Sequence, residues 1–526
     1  MTRPLTDRIE HIVVLMFENR SFDNVFGGLY PERTQAGSFR GLTGTETIPL
    51  DPANPSAGSV QVFQGPSDTA TWTMPYPDPG ESYEDMVEQL FGAGTNLLPT
   101  GIPAMNGFAS NYLKQPAARD MSGATVPPAA VSVMQYYSAA TMPVSWYLAQ
   151  QFAVCDSWFA SGPVQTYANR TFAHCGTPGR VPGTKNARVN NPDFIKGIKY
   201  GELIAHVMLS PPVTDLTVFE ALDMAYPEAK AAGPGWDDAG KALNWKIYYH
   251  DVPVSALCKY VWDNWHPLNI GGNLHHFEGV LPGDTTQFET DVRNGTLPKY
   301  SFIEPRYTDI FGGTVNNNHP GGAGVDPRDP NAPSPPPAID VRDGEILLNR
   351  IYRILYNDPD TFKKTLFVVT YDEHGGLYDH CPPPAAASPF IPPVQNFPYD
   401  RYGVRVPTLF INPYIQPSSI YPPRAAFAPL ALPPHDHTSL IKTVLQQFGA
   451  SADFGPRVGS APPIAGIVTS DYHLPAPCPD PAQTPMARPP RGKVATFGEH
   501  AATLGSALGP LYKYVQDWKD RAGQRP

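Results

Sequence analysis

The stretch Thr370-Tyr-Asp-Glu-His-Gly-Gly-Leu-Tyr-Asp-His380 follows directly on an apolar run, Thr365 to Val369. Such a run, bounded by turn-forming residues, reads as a strand buried on both faces. Upstream, Leu347, Ile351, Ile354 and Leu355 fall on one helical face. A helix feeding a buried strand is the unit of a parallel α/β sheet. Asp372 and Glu373 then stand just past the strand's C-terminal end, where open α/β sheets gather their ligands. Gly375 and Gly376 permit a tight turn and close approach of the backbone. A strand ending in a polar turn is the plain account of acid-Gly sequences. Three acids and two histidines within this one stretch exceed what a turn requires.

The same logic recurs at the N-terminus. Ile12 to Phe17 reads as a buried strand and ends in Glu18-Asn19-Arg20-Ser21-Phe22-Asp23, with Ser21 or Asp23 able to cap a following helix. Asp78-Pro-Gly-Glu-Ser82 caps a helical run through Val87, Leu90 and Phe91. Val144 to Ala149 is helical in pattern, and Phe152 to Asp156 is a short strand. Next comes Thr166-Tyr-Ala-Asn169-Arg170, with a helix expected to start within Thr171 to His174. That leaves the Thr166 hydroxyl at a loop-to-helix junction, where backbone N–H groups favour anions. Strands are expected at Trp245 to His250, Tyr300 to Ile303 and Val404 to Ile411, and a helical run around Val254 to Trp262. Residues 312–340 form a long Gly-, Asn- and Pro-rich loop carrying His319. Asp436-His-Thr-Ser439 caps an amphipathic helix closed by Gly449. The expected division is a catalytic domain over 1–459 with insertions, then a Pro-rich strap and a helix near Phe497 to Ala522 in 460–526.

Composition narrows the possibilities. The 526 residues can bury a large core, and 63 prolines with 45 glycines imply long surface loops. The net charge of −11, with no basic stripe, argues against nucleic acid as a partner. No apolar run spans a bilayer, so membrane contact is expected to be peripheral at most. The first residues lack a signal peptide's apolar core. That leaves a cytoplasmic protein, a leader outside this sequence, or export by another route. The five cysteines have no metal-site spacing, and a Cys155–Cys175 bridge is open. Oligomeric state is not legible.

Glu18, Asn19, Asp372 and Glu373 are all oxygen donors and carry three negative charges. Brought together, they suit one hard divalent cation such as Ca²⁺, Mg²⁺ or Mn²⁺. A threonine hydroxyl facing that cation becomes a nucleophile, and Thr166 is placed for it. Arg170 can fork onto a phosphate or carboxylate. His275, His276, His319, His374, His380 and His437 lie in polar contexts suited to donating protons or hydrogen bonds.

Three segments, Glu18-Asn-Arg-Ser-Phe-Asp23, Thr166-Tyr-Ala-Asn-Arg170 and Asp372-Glu-His-Gly-Gly-Leu-Tyr-Asp-His380, resemble the signatures of the phosphoesterase family. That family holds bacterial phospholipases C, related acid phosphatases and plant non-specific phospholipases C. Supporting pieces occur in family order: Gly107-Phe108, Cys155-Asp156, His275-His-Phe277, Phe302-Ile-Glu-Pro305, His319-Pro320, Gly344-Glu345, Arg405-Val-Pro407 and Asp436-His-Thr-Ser439. The resemblance runs from about residue 9 to residue 449.

It implies an alkaline-phosphatase-like α/β fold, a central, mostly parallel sheet with helices on both faces. It implies Glu18, Asn19, Asp372, Glu373 and Thr166 as ligands of one divalent metal, Ca²⁺ or another hard cation by donor type. Thr166 would form a phosphothreonine. His275, His276 and His319 would stabilise phosphoryl oxygens or protonate the leaving group, with Asn169 and Arg170 completing the nucleophile motif. The substrate would be a phosphoester, phospholipid among the candidates. A monoester phosphatase and a catalytically inactive metal-binding recognition protein are the alternatives. A sulfatase is disfavoured, because no Cys or Ser motif for formylglycine is present. Two departures stand out: Ala168 replaces the family's usual proline, and the segment Asp78 to Asp85 lacks the histidine that many members carry.

Overall fold

The computed structural model describes residues 3–66, 73–119, 125–181, 183–191, 213–231, 242–250, 253–265, 272–277, 286–307, 315–321, 339–423 and 434–479. Eight strands form one sheet: β1 His11–Phe17, β2 Ala153–Cys155, β3 Trp245–Tyr249, β4 Leu274–His276, β5 Tyr300–Glu304, β6 Thr365–Tyr371, β7 Leu409–Ile411 and β8 Ser419–Tyr421. Their spatial order is β4-β3-β5-β1-β6-β7-β2-β8. Strands β4, β3, β5, β1 and β6 run parallel, and β7 alone runs against its neighbours.

Every residue of β6 is buried, as the unbroken apolar run requires when both faces of a sheet are covered. Two sets of helices provide the cover. Thr166–Cys175, Val218–Ala225 and Thr438–Phe448 pack on one another, as do Pro143–Gln151 and Val341–Tyr356. The helix Val341–Tyr356 buries Leu347, Ile351, Ile354 and Leu355, the stripe that its spacing gives. The fold is therefore α/β with a mostly parallel central sheet.

The register places the site. Phe17 pairs with Tyr371 across β1 and β6. Glu18 and Asp372 thus leave the middle of the sheet side by side, each just beyond a C-terminal strand end.

Several local expectations shift. The helix expected within Thr171 to His174 begins at Thr166 itself, after Gln165 as the N-terminal cap. The strand expected over Val404 to Ile411 is continuous only at Leu409–Ile411, preceded by a single bridge between Arg405 and Phe159. The helical run around Val254 to Trp262 splits into a 3₁₀ turn, Val254–Leu257, and a short helix, Lys259–Asp263. None of the five cysteines is in a disulfide, and Cys175 faces Cys258 at 3.5 Å rather than Cys155, which lies within β2. Within residues 461–479, Ile464, Ile467, Val468 and Cys478 are buried against the core. The helix expected near Phe497 to Ala522 lies outside the described residues.

Candidate active site

Asn19 is the hub of the cluster. Its φ of 58° places it in the left-handed region, which asparagine tolerates better than most residues. Its backbone N–H donates to Asp372 Oδ1 at 3.1 Å. Its side-chain Oδ1 accepts from the Thr166 hydroxyl at 3.4 Å. Its Nδ2 donates to Glu81 Oε1 at 2.5 Å, with His319 Nε2 lying 3.0 Å away. One residue thus joins β1, β6, the helix that begins at Thr166 and two loops.

The glycine turn makes this possible. Gly375 and Gly376 both have positive φ. A Cβ on Gly375 would lie 2.3 Å from the Asn19 carbonyl oxygen, and one on Gly376 would lie 2.6 Å from Pro79 Cβ. The turn is wedged between the two segments it brings together, and no side chain fits there. His374 adds a tie: its Nε2 meets Gln89 Oε1 at 2.9 Å, and Gln89 Nε2 donates to the Gly80 carbonyl at 2.7 Å. Burial pulls the His374 pKa down to about 3, so the ring is a neutral strut.

Charge is unbalanced at the front of the cluster. Glu18, Asp372 and Glu373 are all buried, and Arg170 is the guanidinium among them. Arg170 Nε donates to Asp372 Oδ2 at 2.9 Å, and its Nη2 donates to the Met16 and Phe17 carbonyls. Glu18 Oε1 is further off, at 3.7 Å, while Glu18 Oε2 accepts from Asn317 at 2.6 Å. Burial outweighs Arg170 and raises the Glu18 pKa to about 7. It also raises Asp372, and it raises Glu373 well above the carboxylate range, with Glu81 and Asp372 adding repulsion. Glu373 Oε2 is held by the Gly375 N–H at 2.7 Å, but its buried Oε1 has no hydrogen-bond partner. An orphaned carboxylate oxygen among repelling oxygen donors fits a hard cation. A second group, Asp78, Glu81 and His319, has ligand atoms close enough to share an ion and adjoins the first through Asn19.

The structure brings together Glu18, Asn19, Thr166, Arg170, Asp372, Glu373 and His319. His319 Nδ1 lies 2.5 Å from the Pro320 carbonyl. Burial opposes a proton on this ring, but the charges of Glu81, Asp78 and Glu18 outweigh it and raise the pKa well above its usual value. Asn169 faces elsewhere: it clamps the loop before Thr166 through the Gly162 N–H and the Gly162 and Val164 carbonyls.

His275 and His276 are not in the cluster. They sit on β4 at the sheet edge, three strands from β1, roughly 14 Å across at ordinary strand spacing. His275 Nε2 meets the Gly272 carbonyl at 2.9 Å and His276 Nε2 meets the Tyr249 hydroxyl at 3.3 Å. Burial lowers both, His275 to about 4.

Three contributors escaped the sequence reading. Asn317 holds Glu18, and Glu81 holds Asn19. His437, read only as one polar histidine among six, meets the Asp372 carbonyl with Nε2 at 2.7 Å and receives Trp158 Nε1–H at Nδ1. That fixes its tautomer and the main chain of a ligand candidate.

The chain is similar to known proteins along most of its length. The model of the Phosphoesterase family matches residues 9–451. The chain is 29% identical over 520 residues to non-specific phospholipase C4 of Arabidopsis thaliana, covering 96% of this chain and 81% of that protein. It is 27% identical over 521 residues to phospholipase C B of Mycobacterium tuberculosis, covering 92% and 81%. Among solved structures, a protein of the alkaline phosphatase superfamily from Vibrio parahaemolyticus aligns with a TM-score of 0.29 at 13% identity, covering 61% of this chain and 64% of that one. The chain belongs to the phosphoesterase family and is a hydrolase of phosphoester bonds.

Proposed function

We propose that this hydrolase acts through Thr166 as a covalent nucleophile beside one divalent cation, on phosphodiesters of the phospholipid class. The observation that carries the reading is the Thr166 hydroxyl on Asn19 Oδ1, next to three buried carboxylates whose charge a single arginine leaves unmatched. Glu18, Asn19, Asp372 and Glu373 would hold the cation, with the Thr166 oxygen completing the set. Bound there, the cation would lower the pKa of the threonine hydroxyl and offset charge on the phosphoryl oxygens.

The chain's own residues do the rest. Thr166 starts the helix Thr166–Cys175, so its Oγ1 stands where N–H groups and the helix dipole favour an approaching phosphoryl group. The oxygen attacks phosphorus as its proton passes to solvent, and the ester bond to the lipid alcohol breaks. The headgroup-phosphoryl stays on Thr166 as a phosphothreonine diester, and water then displaces the threonine oxygen from phosphorus. Arg170 fixes Asp372 and has Nη1 without a hydrogen-bond partner, available to a phosphoryl oxygen. His319 lies beside Asn19 at the edge of the cluster and would pass a proton to the departing oxygen. The lipid assignment rests on the names of the two relatives reported above, both phospholipases C. The hard-cation preference rests on the oxygen donor set.

The test is acid-quenched turnover with the divalent cation supplied. With a phosphatidylcholine analogue, intact mass should show one added phosphocholine group, and peptide mapping should place it on Thr166. Thr166→Ala should lower kcat by at least about 10³-fold without loss of the folded state. An active Thr166→Ala variant would refute the covalent route. Faster turnover of a chromogenic monoester than of a phosphatidylcholine analogue would refute the diester assignment.

A further inference from the structure

We infer that Glu81 is a positioning residue for the reaction: its carboxylate sets which end of the Asn19 amide faces Thr166 and the cation. This rests on the cation reading above. An amide has an acceptor end and a donor end, and only the oxygen can ligate a hard cation. An ionised carboxylate accepts hydrogen bonds and donates none. Glu81 Oε1 lies 2.5 Å from Asn19 Nδ2, so the amide nitrogen is turned toward Glu81 and the oxygen toward Thr166. Reversing the amide would set its oxygen against the carboxylate and its N–H₂ in the cage.

Helix capping does not explain Glu81. The helix Tyr83–Phe91 is capped by Ser82, whose hydroxyl accepts from the Asp85 N–H while the Asp85 side chain accepts from the Ser82 N–H. Glu81 precedes that box and turns its side chain inward, leaving it 12% exposed. Its backbone is anchored from the other side. Gly80 has no room for a Cβ, which would meet Gln115 at 2.4 Å and Asp85 at 2.6 Å, and its carbonyl is held by Gln89, itself held by His374. The stretch carrying Asp372 and Glu373 thus fixes the segment that orients Asn19. His319 Nε2 converges on the same Glu81 oxygen, at 3.5 Å. Glu81 therefore bridges the Asn19 amide and the histidine at the mouth of the site.

Glu81→Ala and Glu81→Gln separate this role from others. Glutamine keeps an oxygen that accepts from Asn19, and alanine does not. Divalent cation affinity is measured by calorimetry on metal-stripped full-length chain with Ca²⁺ and Mn²⁺, beside steady-state kinetics and melting temperature. Glu81→Ala should weaken the cation about 10-fold or more, the usual scale for a group that orients a ligand. Its kcat should fall while KM holds. Glu81→Gln should recover affinity to within about 3-fold of wild type. Wild-type affinity in Glu81→Ala would overturn the role. So would Glu81→Gln as weak as alanine, which would make Glu81 a ligand or a proton carrier. Should Glu81→Ala fail to fold, Glu81→Gln still decides through its affinity. A wild-type chain that binds neither cation would instead refute the cage itself.

Discussion

The two ends of the stretch from Asp372 to His380 carry the same kinds of group at the same depth, and the chain treats them in opposite ways. At the far end, Asp379 and Asp23 meet Arg405 and His380. Arg405 reaches Asp379 at 3.0 Å and Asp23 at 2.9 Å, and His380 Nδ1 lies 2.6 Å from Asp23. Two anions face two cations. Although burial pushes Asp23 upward, His380 and Arg405 outweigh it and hold its pKa below the usual range, whereas burial still raises Asp379 beside Arg405. At the near end, Asp372, Glu373 and Glu18 face Arg170, and all three carboxyls are pushed up by burial. The far end is a finished lock between β6 and the segment after β1. The near end has its carboxyls less fully matched, and that imbalance supports the proposed cation site.

The comparison breaks first at Arg405. Removing one partner of a buried ion network leaves uncompensated charge, so Arg405→Met should cost about 3–5 kcal/mol of stability. Urea unfolding of the metal-stripped protein measures it, and the cation affinity of the remaining folded fraction should be unchanged. Loss of affinity in step with stability would show that the two ends are not separate. Glu373→Gln should behave in the opposite manner. Cation affinity should fall by more than about 100-fold, beyond what an orienting group is worth. The stripped protein should melt no lower than wild type, because a repelling carboxylate has become a neutral amide. A lower melting point would mean that Glu373 supports the fold instead of straining it.

Much of this division can be traced to local pattern. The strand runs Ile12 to Phe17 and Thr365 to Val369, each ending in acids, locate Glu18, Asn19, Asp372 and Glu373 without knowledge of the fold. Thr166 is legible as a hydroxyl at a junction, although the helix takes it in as a first residue because Gln165 ends the extended segment. Sheet order is not legible, since nothing in a strand's own residues names its neighbour. His275-His276 therefore reads as well placed as His319, yet β4 lies at the edge while β1 and β6 hold the centre. Glu81, Asn317 and His437 act through loops and caps without periodicity. Their roles depend on which distant group they meet, so no local signal could single them out. The acids at 379 and 372 look alike for the same reason: Arg405 and Arg170 come from elsewhere in the chain, and their bonding decides which acid is spent on structure.

The smallest effect concerns the proton that completes the lock. His380 lies beside Asp23, and although burial opposes its charge, Asp23 and then Cys381 outweigh that and raise its pKa to about 11. Its usual value is 6.5. Between those values the folded chain holds a proton that the unfolded chain has released, so stability from this group declines as pH rises. The contribution is complete below the unfolded value and is gone once pH passes through the folded one. His380→Gln should therefore cost about 2 kcal/mol near neutrality, the scale of a hydrogen bond to a charged group. The gap between wild type and variant should narrow from about pH 6.5 toward about pH 11 in urea titrations. A gap that stays constant over that range would mean that His380 serves Asp23 as a neutral donor. The far end would then be balanced by Arg405 alone, and its contrast with the Arg170 cluster would reduce to hydrogen bonding.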